Sequence, residues 1–122
     1  VKIRKHGAVY VKLMRYAGED LAQAAVGIVA YPGNDYRVAF GAVAPTPIRS
    51  TRIETALAGK DLDDGLIAEV VAMVPDEISP ITDMRATAEY RTHITEVMLR
   101  RGLVAAVERL EGKGPAYGTR LI

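Results

Sequence analysis

Hydrophobic residues follow a strand-like pattern in the first third of the chain. Residues 9–13 (VYVKL) are rich in β-branched and aromatic side chains, and residues 24–31 (AAVGIVAY) form a nearly continuous apolar run. Residues 36–40 (YRVAF) then alternate between apolar and polar positions. Because the turn sequence Pro-Gly-Asn-Asp separates the last two runs, the pattern predicts three strands, the last two paired as an antiparallel hairpin. A single helical turn is expected at residues 18–22.

After residue 44 the apolar period changes from that of a strand to that of a helix. Thr46 and Pro47 are suited to the N-cap and first position of a helix, and Thr51 and Glu54 have the spacing of a capping box. Gly59 is well placed to end this helix in the left-handed conformation. One helical face is shared by Ile53, Ala56 and Leu57. The pattern therefore predicts a first helix that ends before Gly59.

Two further helices are predicted downstream. Asp63 is a good N-cap, with Leu62 and Ile67 at the positions of a hydrophobic staple. The apolar stripe of this second helix consists of Leu66, Ile67, Val70, Val71 and Val74 and stops at Pro75. A long final helix is expected over residues 85–111, with Asp83 as its N-cap and Gly112 at its end.

The apolar positions of the final helix change face partway along it. Tyr90, Ile94 and Val97 lie on one side, whereas an opposite side carries Leu99, Leu103, Ala106, Val107 and Leu110, at about 100° per residue. One flat sheet cannot bury both stripes of a straight helix. We therefore expect a bend near Gly102, or a second stripe whose Leu103, Val107 and Leu110 are partly exposed or covered by residues 115–117.

Strands followed by helices indicate an α+β fold: an antiparallel sheet of about three strands, followed by three helices packed on one face. A length of 122 residues fits one domain. The 16 Lys and Arg residues against 15 Asp and Glu leave a net charge of +1, which does not favour nucleic-acid binding. Cysteine is absent and no apolar run approaches the ~20 residues of a membrane span. We expect a cytoplasmic chain that binds neither nucleic acid nor membrane.

Candidate catalytic chemistry is sparse. His6 and His93 have no metal-ligand spacing, and neither serine lies in a nucleophile elbow. Residues 61, 63 and 64 are aspartates crowded at a helix start, where capping explains them better than catalysis. Composition and spacing therefore identify no self-contained active site.

Two stretches resemble a known family. "GAVAPTPIRSTRIETALAGKDLD" (residues 41–63) and "SPITDMRATAEYRTHITEVMLRRGL" (residues 79–103) are similar to the C-terminal domain of the FAD-binding, or medium, subunit of molybdenum hydroxylases. That family includes carbon monoxide dehydrogenase and the xanthine dehydrogenases. The shared features are A-P-T-P-x-R, A-L-x-G and D-x-R-x-x-A-E-Y-R running into L-R-R. Upstream, "YVKLMRYAGEDLA" resembles the family's Y-x-K-x-x-R stretch, so the resemblance covers essentially residues 8–111.

The resemblance implies the C-terminal domain of a longer FAD-binding subunit, residues 1–122, within an FAD-dependent oxidoreductase complex. FAD would be bound mainly by a preceding domain, while the molybdenum cofactor and [2Fe-2S] clusters belong to partner subunits. Electrons pass in that family from the molybdenum centre through the clusters to FAD. The implied contribution of this chain is a wall beside the flavin and a docking surface for the preceding domain and the iron–sulfur and molybdenum subunits. Lys12 matches the family lysine that points toward the FAD.

Some features depart from the family or leave an alternative open. Tyr16 stands where the family often has a second arginine after the one that matches Arg15, which puts any role of an arginine pair in doubt. Lys12 is equally compatible with a strand-edge lysine that faces water. The rival hypothesis for the whole chain is a freestanding α+β interaction or small-molecule-binding module without flavin. A glycine-rich FAD-binding segment encoded directly upstream of Val1 would favour the first hypothesis, and a start codon there would favour the second.

Overall fold

The computed structural model describes residues 5–14, 22–41, 47–79 and 87–114. Four strands come first: β1 (Gly7–Met14), β2 (Ala22–Tyr31), β3 (Asp35–Gly41) and β4 (Ile48–Arg49). Four helices follow: α1 (Thr51–Leu57), α2 (Asp64–Val71), the single turn α3 (Val74–Glu77) and α4 (Ala88–Leu110). The strands form one antiparallel sheet in the order β1-β2-β3-β4. The predicted α+β class is confirmed, and the described part of the sheet has one short strand more than expected.

The β2–β3 hairpin forms where the turn sequence predicts it. Gly33 and Asn34 both have positive φ angles, of 85° and 57°, which is the conformation that favours Gly and Asn. The turn is also tied to the helical layer, because Asn34 O accepts from Gly59 N at 3.0 Å and Asn34 Nδ2 donates to Asp61 Oδ1 at 3.0 Å. The predicted turn at residues 18–22 lies outside the described residues, apart from Ala22, which begins β2.

Helix α1 begins later than the sequence predicts. The expectation of a helix start at Thr46 and Pro47 is wrong: Ser50 is the N-cap, and its Oγ accepts from Ile53 N at 3.3 Å. The predicted capping box is also wrong, because the Glu54 carboxylate turns toward the sheet instead of the helix start. The end is confirmed, since Gly59 follows the C-cap with a φ of 72°.

The predicted start of α2 is confirmed and its end is not. Asp63 caps the helix, with its Oδ1 accepting from Leu66 N at 2.7 Å. All five predicted stripe residues are buried. The helix nevertheless ends at Val71, and Val74 opens the separate turn α3 with Pro75 in its first positions. Proline is accepted there because the N–H that it lacks would have no helical partner.

Helix α4 is shorter than expected. Its N-cap is Thr87, whose Oγ1 accepts from Tyr90 N at 3.0 Å; Asp83, the predicted cap, lies outside the described residues. The helix ends at Leu110, and Gly112 has the expected left-handed φ, 79°.

The prediction that the apolar stripe of α4 changes face is wrong. One continuous face is buried, consisting of Arg91, Thr95, Met98, Leu99, Gly102, Leu103, Ala105 and Ala106. Leu103 is fully buried, which contradicts the expected exposure, whereas Val107 and Leu110 are partly exposed as expected. Three residues of the predicted second stripe, Leu99, Leu103 and Ala106, belong to this face. Its centre carries Thr95 and Gly102, a polar and a small residue that a hydrophobicity pattern overlooks.

Glycine allows α4 to lie close to the sheet. A Cβ on Gly102 would lie 2.7 Å from Ile28 Cδ1, so a larger residue there would require the end of the Ile28 side chain to move. Helix α4 packs on β1 and β2, α1 packs on β3, and α2 and α3 pack mainly against other helices. All four described helices thus lie on one side of the sheet, as the sequence predicts.

Candidate functional site

The sheet has an open face, opposite the helices. Along each strand, buried residues such as Val9, Ile28 and Phe40 alternate with residues that point away from the helical layer. The uncharged members of the open face whose side chains are described, or that are glycine, are Ala8, Tyr10, Ala25, Gly27, Val29, Tyr31, Ala39 and Gly41. Of these, Ala25 is only 2% exposed, so the face is covered at that position. An antiparallel sheet that faces water on one side usually carries polar residues there. This composition is instead typical of a surface that packs against something.

Tyr10 is the largest described side chain near the centre of the open face. Its side chain and backbone are together 68% exposed, more than any other large hydrophobic residue in the described part of the chain. Tyr10 pairs with Gly27, which pairs with Ala39 and through it with Arg49 in the register of the sheet. A Cβ on Gly27 would lie 3.8 Å from Tyr10 Cδ2, so the tyrosine ring lies beside the glycine. In this row the aromatic ring of Tyr10 lies next to two small residues, Gly27 and Ala39.

The hairpin end of the open face is charged but internally balanced. Arg37 Nη1 donates to Asp35 Oδ1 and, at 3.0 Å, to Tyr36 O. The Arg37 guanidinium also lies 5.7 Å from the centre of the Tyr31 ring, within the range of a cation–π contact. The apolar part of the open face is therefore centred on Tyr10, away from this end.

Lys12 lies at the other end of the sheet. It pairs with Ala25, which pairs with Gly41, the last residue of β3. Two of the stretches that resemble the family therefore meet at this end: the upstream stretch, in which β1 ends just after Lys12, and residues 41–63, in which the connection from Gly41 to β4 begins. Strand β1 is also an edge of the sheet, where a lysine discourages pairing with another chain. The position of Lys12 is compatible with both roles considered for it.

Arg49 and Glu54 form an ion pair joined by two hydrogen bonds. Arg49 Nε donates to Glu54 Oε2 and Nη2 donates to Oε1, both at 2.7 Å, which gives a bidentate pair. Glu54 is only 8% exposed, and its Oε2 also accepts from Val38 N at 3.1 Å. Arg49 is the arginine of the A-P-T-P-x-R motif, so this motif residue has an internal partner.

The surroundings of Glu54 favour its ionised form. Burial alone would raise the pKa of this carboxyl, but the hydrogen bonds from Arg49 and from Val38 N–H, with the charges of Arg49 and Arg37, outweigh it. The pKa of Glu54 consequently lies below its ordinary value of 4.5. The hydrogen bonds to Glu54, and then its charge, raise the pKa of Arg49 in return. The pair is therefore ionised at neutral pH.

We expect Glu54 to contribute to the acid sensitivity of the fold. A carboxyl whose folded-state pKa is lowered stabilises the fold above its unfolded-state pKa, and this contribution disappears as the pH falls through the folded-state value. Glu54→Gln should therefore unfold more easily than the wild type at pH 7, and the difference should shrink as the pH falls below about 4. Urea unfolding between pH 7 and pH 3 measures it. A difference that stays constant over this range would contradict the expectation.

Other surfaces offer little chemistry. A shallow cleft of about 380 Å³ between α3 and the start of α4 is lined by Pro75, Ile78, Ala88, Glu89, Thr92, His93 and Glu96. Across the ranges that the structure describes, no three His, Asp or Glu side chains are grouped so that they could hold a metal ion. Nor is any described helix long and apolar enough to cross a membrane.

The chain belongs to the family of CO dehydrogenase flavoprotein C-terminal domains, whose sequence model matches residues 9–106. The glyceraldehyde dehydrogenase medium chain of Sulfolobus acidocaldarius is 34% identical over 94 residues, which are 74% of this chain and 33% of that protein. The carbon monoxide dehydrogenase medium chain of Afipia carboxidovorans is 33% identical over 111 residues, which are 88% of this chain and 37% of that one.

Solved structures agree with this assignment. A chain of the cyanide-inactivated Cu,Mo-CO dehydrogenase superposes with a TM-score of 0.76 at 35% identity, over 93% of this chain and 40% of that chain. A chain of the carbon monoxide dehydrogenase from Hydrogenophaga pseudoflava that lacks the Mo-pyranopterin moiety gives a TM-score of 0.80 at 31% identity, over 88% and 39%. The chain thus spans about a third to two-fifths of the length of these relatives, and the predicted family is confirmed.

Sequence reasoning found one candidate residue of this region and missed others. Lys12 follows from the family resemblance alone. Tyr10 and Ala39 were not selected, although strict alternation with Val9 and Phe40 places both opposite the core. Glu54 was assigned to a helix cap because its partner Val38 lies 16 residues away and no local signal links them.

Proposed function

We propose that this chain is the C-terminal domain of the FAD-binding medium subunit of a molybdenum hydroxylase, and that its open face forms a wall of the flavin site. The single observation that carries the proposal is the apolar open face around Tyr10 in a chain that spans only about two-fifths of its structural relatives. An apolar surface of this kind indicates contact with another surface. The part of the subunit that this chain does not include would supply that surface.

The open face fits the surroundings of a flavin better than it fits a complete FAD site. Its small residues and the aromatic ring of Tyr10 offer a flat apolar wall from which water is excluded on docking. The described residues contain no glycine-rich loop at a helix start that would cradle a pyrophosphate. FAD, held mainly elsewhere in the subunit, supplies the electron transfer, and this chain contributes shape and exclusion of water.

Partners follow from the same proposal. The relatives are medium chains, and the chain would dock first onto the FAD-holding part of its own subunit. Subunits that carry [2Fe-2S] clusters and the molybdenum cofactor would lie beyond it and deliver electrons to FAD. A cysteine-free chain of this kind suits the reducing cytoplasm, which is the compartment that we propose.

Lys12 is the residue of this chain for which we propose a contact with FAD. A compact cation at the end of β1 can attract the pyrophosphate or stabilise negative charge on the reduced flavin. In the FAD-bearing subunit, Lys12→Ala should therefore weaken FAD retention or slow flavin reoxidation. The loss of one charge-assisted hydrogen bond corresponds to about 1.5–3 kcal/mol. The 122-residue chain alone should bind no stoichiometric FAD, since one cation cannot offset the entropy lost on binding.

Lys60→Ala is the matched control, because Lys60 is an exposed lysine that follows Gly59 at the end of α1, far from β1 in sequence. FAD retention is measured by the flavin absorbance after gel filtration, and reoxidation by stopped-flow spectroscopy. Equal values for the two variants would assign Lys12 to the strand-edge role instead. A stoichiometric flavin band in the isolated 122-residue chain would contradict the proposal that FAD is held mainly by another part of the subunit.

A further inference from the structure

Strand β4 is so short that its pairing with β3 alone does not fix its position. It pairs with β3 through only two register positions, Phe40 with Ile48 and Ala39 with Arg49. Such a short pairing contributes few ladder hydrogen bonds, and isolated strand pairs are marginal in water. Arg49 nevertheless completes the row of the open face that contains Tyr10, Gly27 and Ala39. Something other than the ladder must fix this edge.

Glu54 joins β3 to the end of β4. Its Oε2 accepts from Val38 N at 3.1 Å and from Arg49 Nε at 2.7 Å, so one carboxylate binds both strands. Ser50 N donates to Val38 O at 2.9 Å, and Glu54 N donates to Ser50 O at 3.1 Å, which closes the connection through the backbone. Both polar groups of Val38 are therefore used at the point where the β3–β4 ladder stops.

The bonding geometry indicates that position, more than stability, is what this pair provides. Burying a carboxylate has a desolvation cost, and apolar side chains of similar volume often stabilise a fold equally well. A bidentate guanidinium–carboxylate contact, however, fixes distance and direction at once. The Arg49 side chain is 57% exposed, so the pair lies at the boundary between the covered and open sides of the sheet.

The neighbouring charges do not replace either partner. Arg37, on β3, adds to the positive charge near Glu54 but donates its own hydrogen bonds to Asp35 and Tyr36. Arg52, one turn away, lies 3.7 Å from Glu77 on α3, and Ser50 Oγ also donates to Glu77. Arg49 is thus the arginine of this segment that bonds Glu54.

We propose that Arg49 and Glu54 are positioning residues that hold β4 against β3 and so fix the outer edge of the open face. The same contacts hold together the two strands that residues 42–47 connect, and the last four of these residues begin the A-P-T-P-x-R motif. The arginine of the motif therefore acts on this chain and does not bind a ligand directly. The consequence for the flavin site rests on the function proposed above, but the positioning role is testable without flavin.

Amide hydrogen exchange of the 122-residue chain tests the proposal. In Arg49→Met, exchange of Val38 N–H and Ser50 N–H should become about tenfold faster, because the opening of this local unit loses a charge-assisted contact. The exchange rates of amides in the β1–β2 ladder should change only by the amount that the change in the global free energy of unfolding accounts for. Arg49→Lys should restore protection only in part, because a lysine cannot form the bidentate contact.

Arg52→Met is the matched control, since it removes the other arginine of the segment and leaves Glu54 bonded. It should leave exchange at Val38 and Ser50 unchanged. Unchanged exchange in Arg49→Met, or a uniform acceleration at β1, β2 and β4 alike, would overturn the positioning role. Neither result depends on FAD retention, so the outcome is separate from the test of Lys12.

Discussion

Gly7→Ala should lower the free energy of unfolding by about 3 kcal/mol, at the upper end of what overpacking causes. A Cβ on Gly7 would lie 2.0 Å from Ala106 O and 2.5 Å from Leu110 N, which are both backbone atoms of α4. Backbone atoms cannot rotate away, so β1 and α4 would have to separate. Arg109 Nη1 donates to Ala8 O at 2.9 Å and opposes that separation.

Gly102→Ala is the control for this prediction. Its Cβ would meet Ile28 Cδ1, the end of a side chain that can change rotamer. Alanine also gains about 1 kcal/mol of helix propensity over glycine at this mid-helix position. We expect a net change within about 1 kcal/mol, measured for both variants by urea unfolding. Equal losses in the two variants, or no loss in Gly7→Ala, would show that β1 does not hold its first residue against α4.

Phe40→Ala should destabilise the fold by about 3–5 kcal/mol, whereas Tyr10→Ala should change stability by no more than about 0.5 kcal/mol. The two aromatic residues lie on opposite faces of one sheet. Phe40 is 1% exposed beneath the helices, and Tyr10 is 68% exposed on the open face. Removing Phe40 leaves a cavity in the core, but removing Tyr10 leaves only solvent in its place.

Comparison of Phe40→Ala with Tyr10→Ala distinguishes an effect on folding from an effect on docking. If the open face packs against the FAD-holding part of the subunit, Tyr10→Ala should release flavin more readily from the assembled subunit while the thermal midpoint of the 122-residue chain stays the same. Differential scanning calorimetry of the chain and flavin release from the subunit measure the two effects. A Tyr10→Ala chain that unfolds as easily as Phe40→Ala would place Tyr10 in the core and remove the basis for an open docking face.

The A-P-T-P-x-R motif illustrates how a family motif can be structural. Arg49, the arginine that follows the two prolines, donates hydrogen bonds from Nε and Nη2, and both go to Glu54. Glu54 itself lies in the helix that leads to the A-L-x-G motif. The contact therefore ties the A-P-T-P-x-R segment to the helix that ends in A-L-x-G.

Local signals in the sequence determined the parts of this fold that depend on residues a few positions apart. The Pro-Gly-Asn-Asp turn specified the β2–β3 hairpin, Asp63 specified the start of α2, and Gly59 specified the end of α1, because turns and caps are bonded within three or four residues. The strand period also determined that the sheet has two chemically different faces.

Tertiary structure decided the features that depend on distant partners. Strand β4 exists because β3 offers an edge, Glu54 bonds Val38 across 16 residues, and Arg109 bonds Ala8 across 101. The buried face of α4 was decided in the same way: Gly102 is at its centre because the helix must approach Ile28 closely, a constraint that belongs to the sheet. A hydrophobicity pattern records which residues avoid water, but it does not record which surface each of them meets.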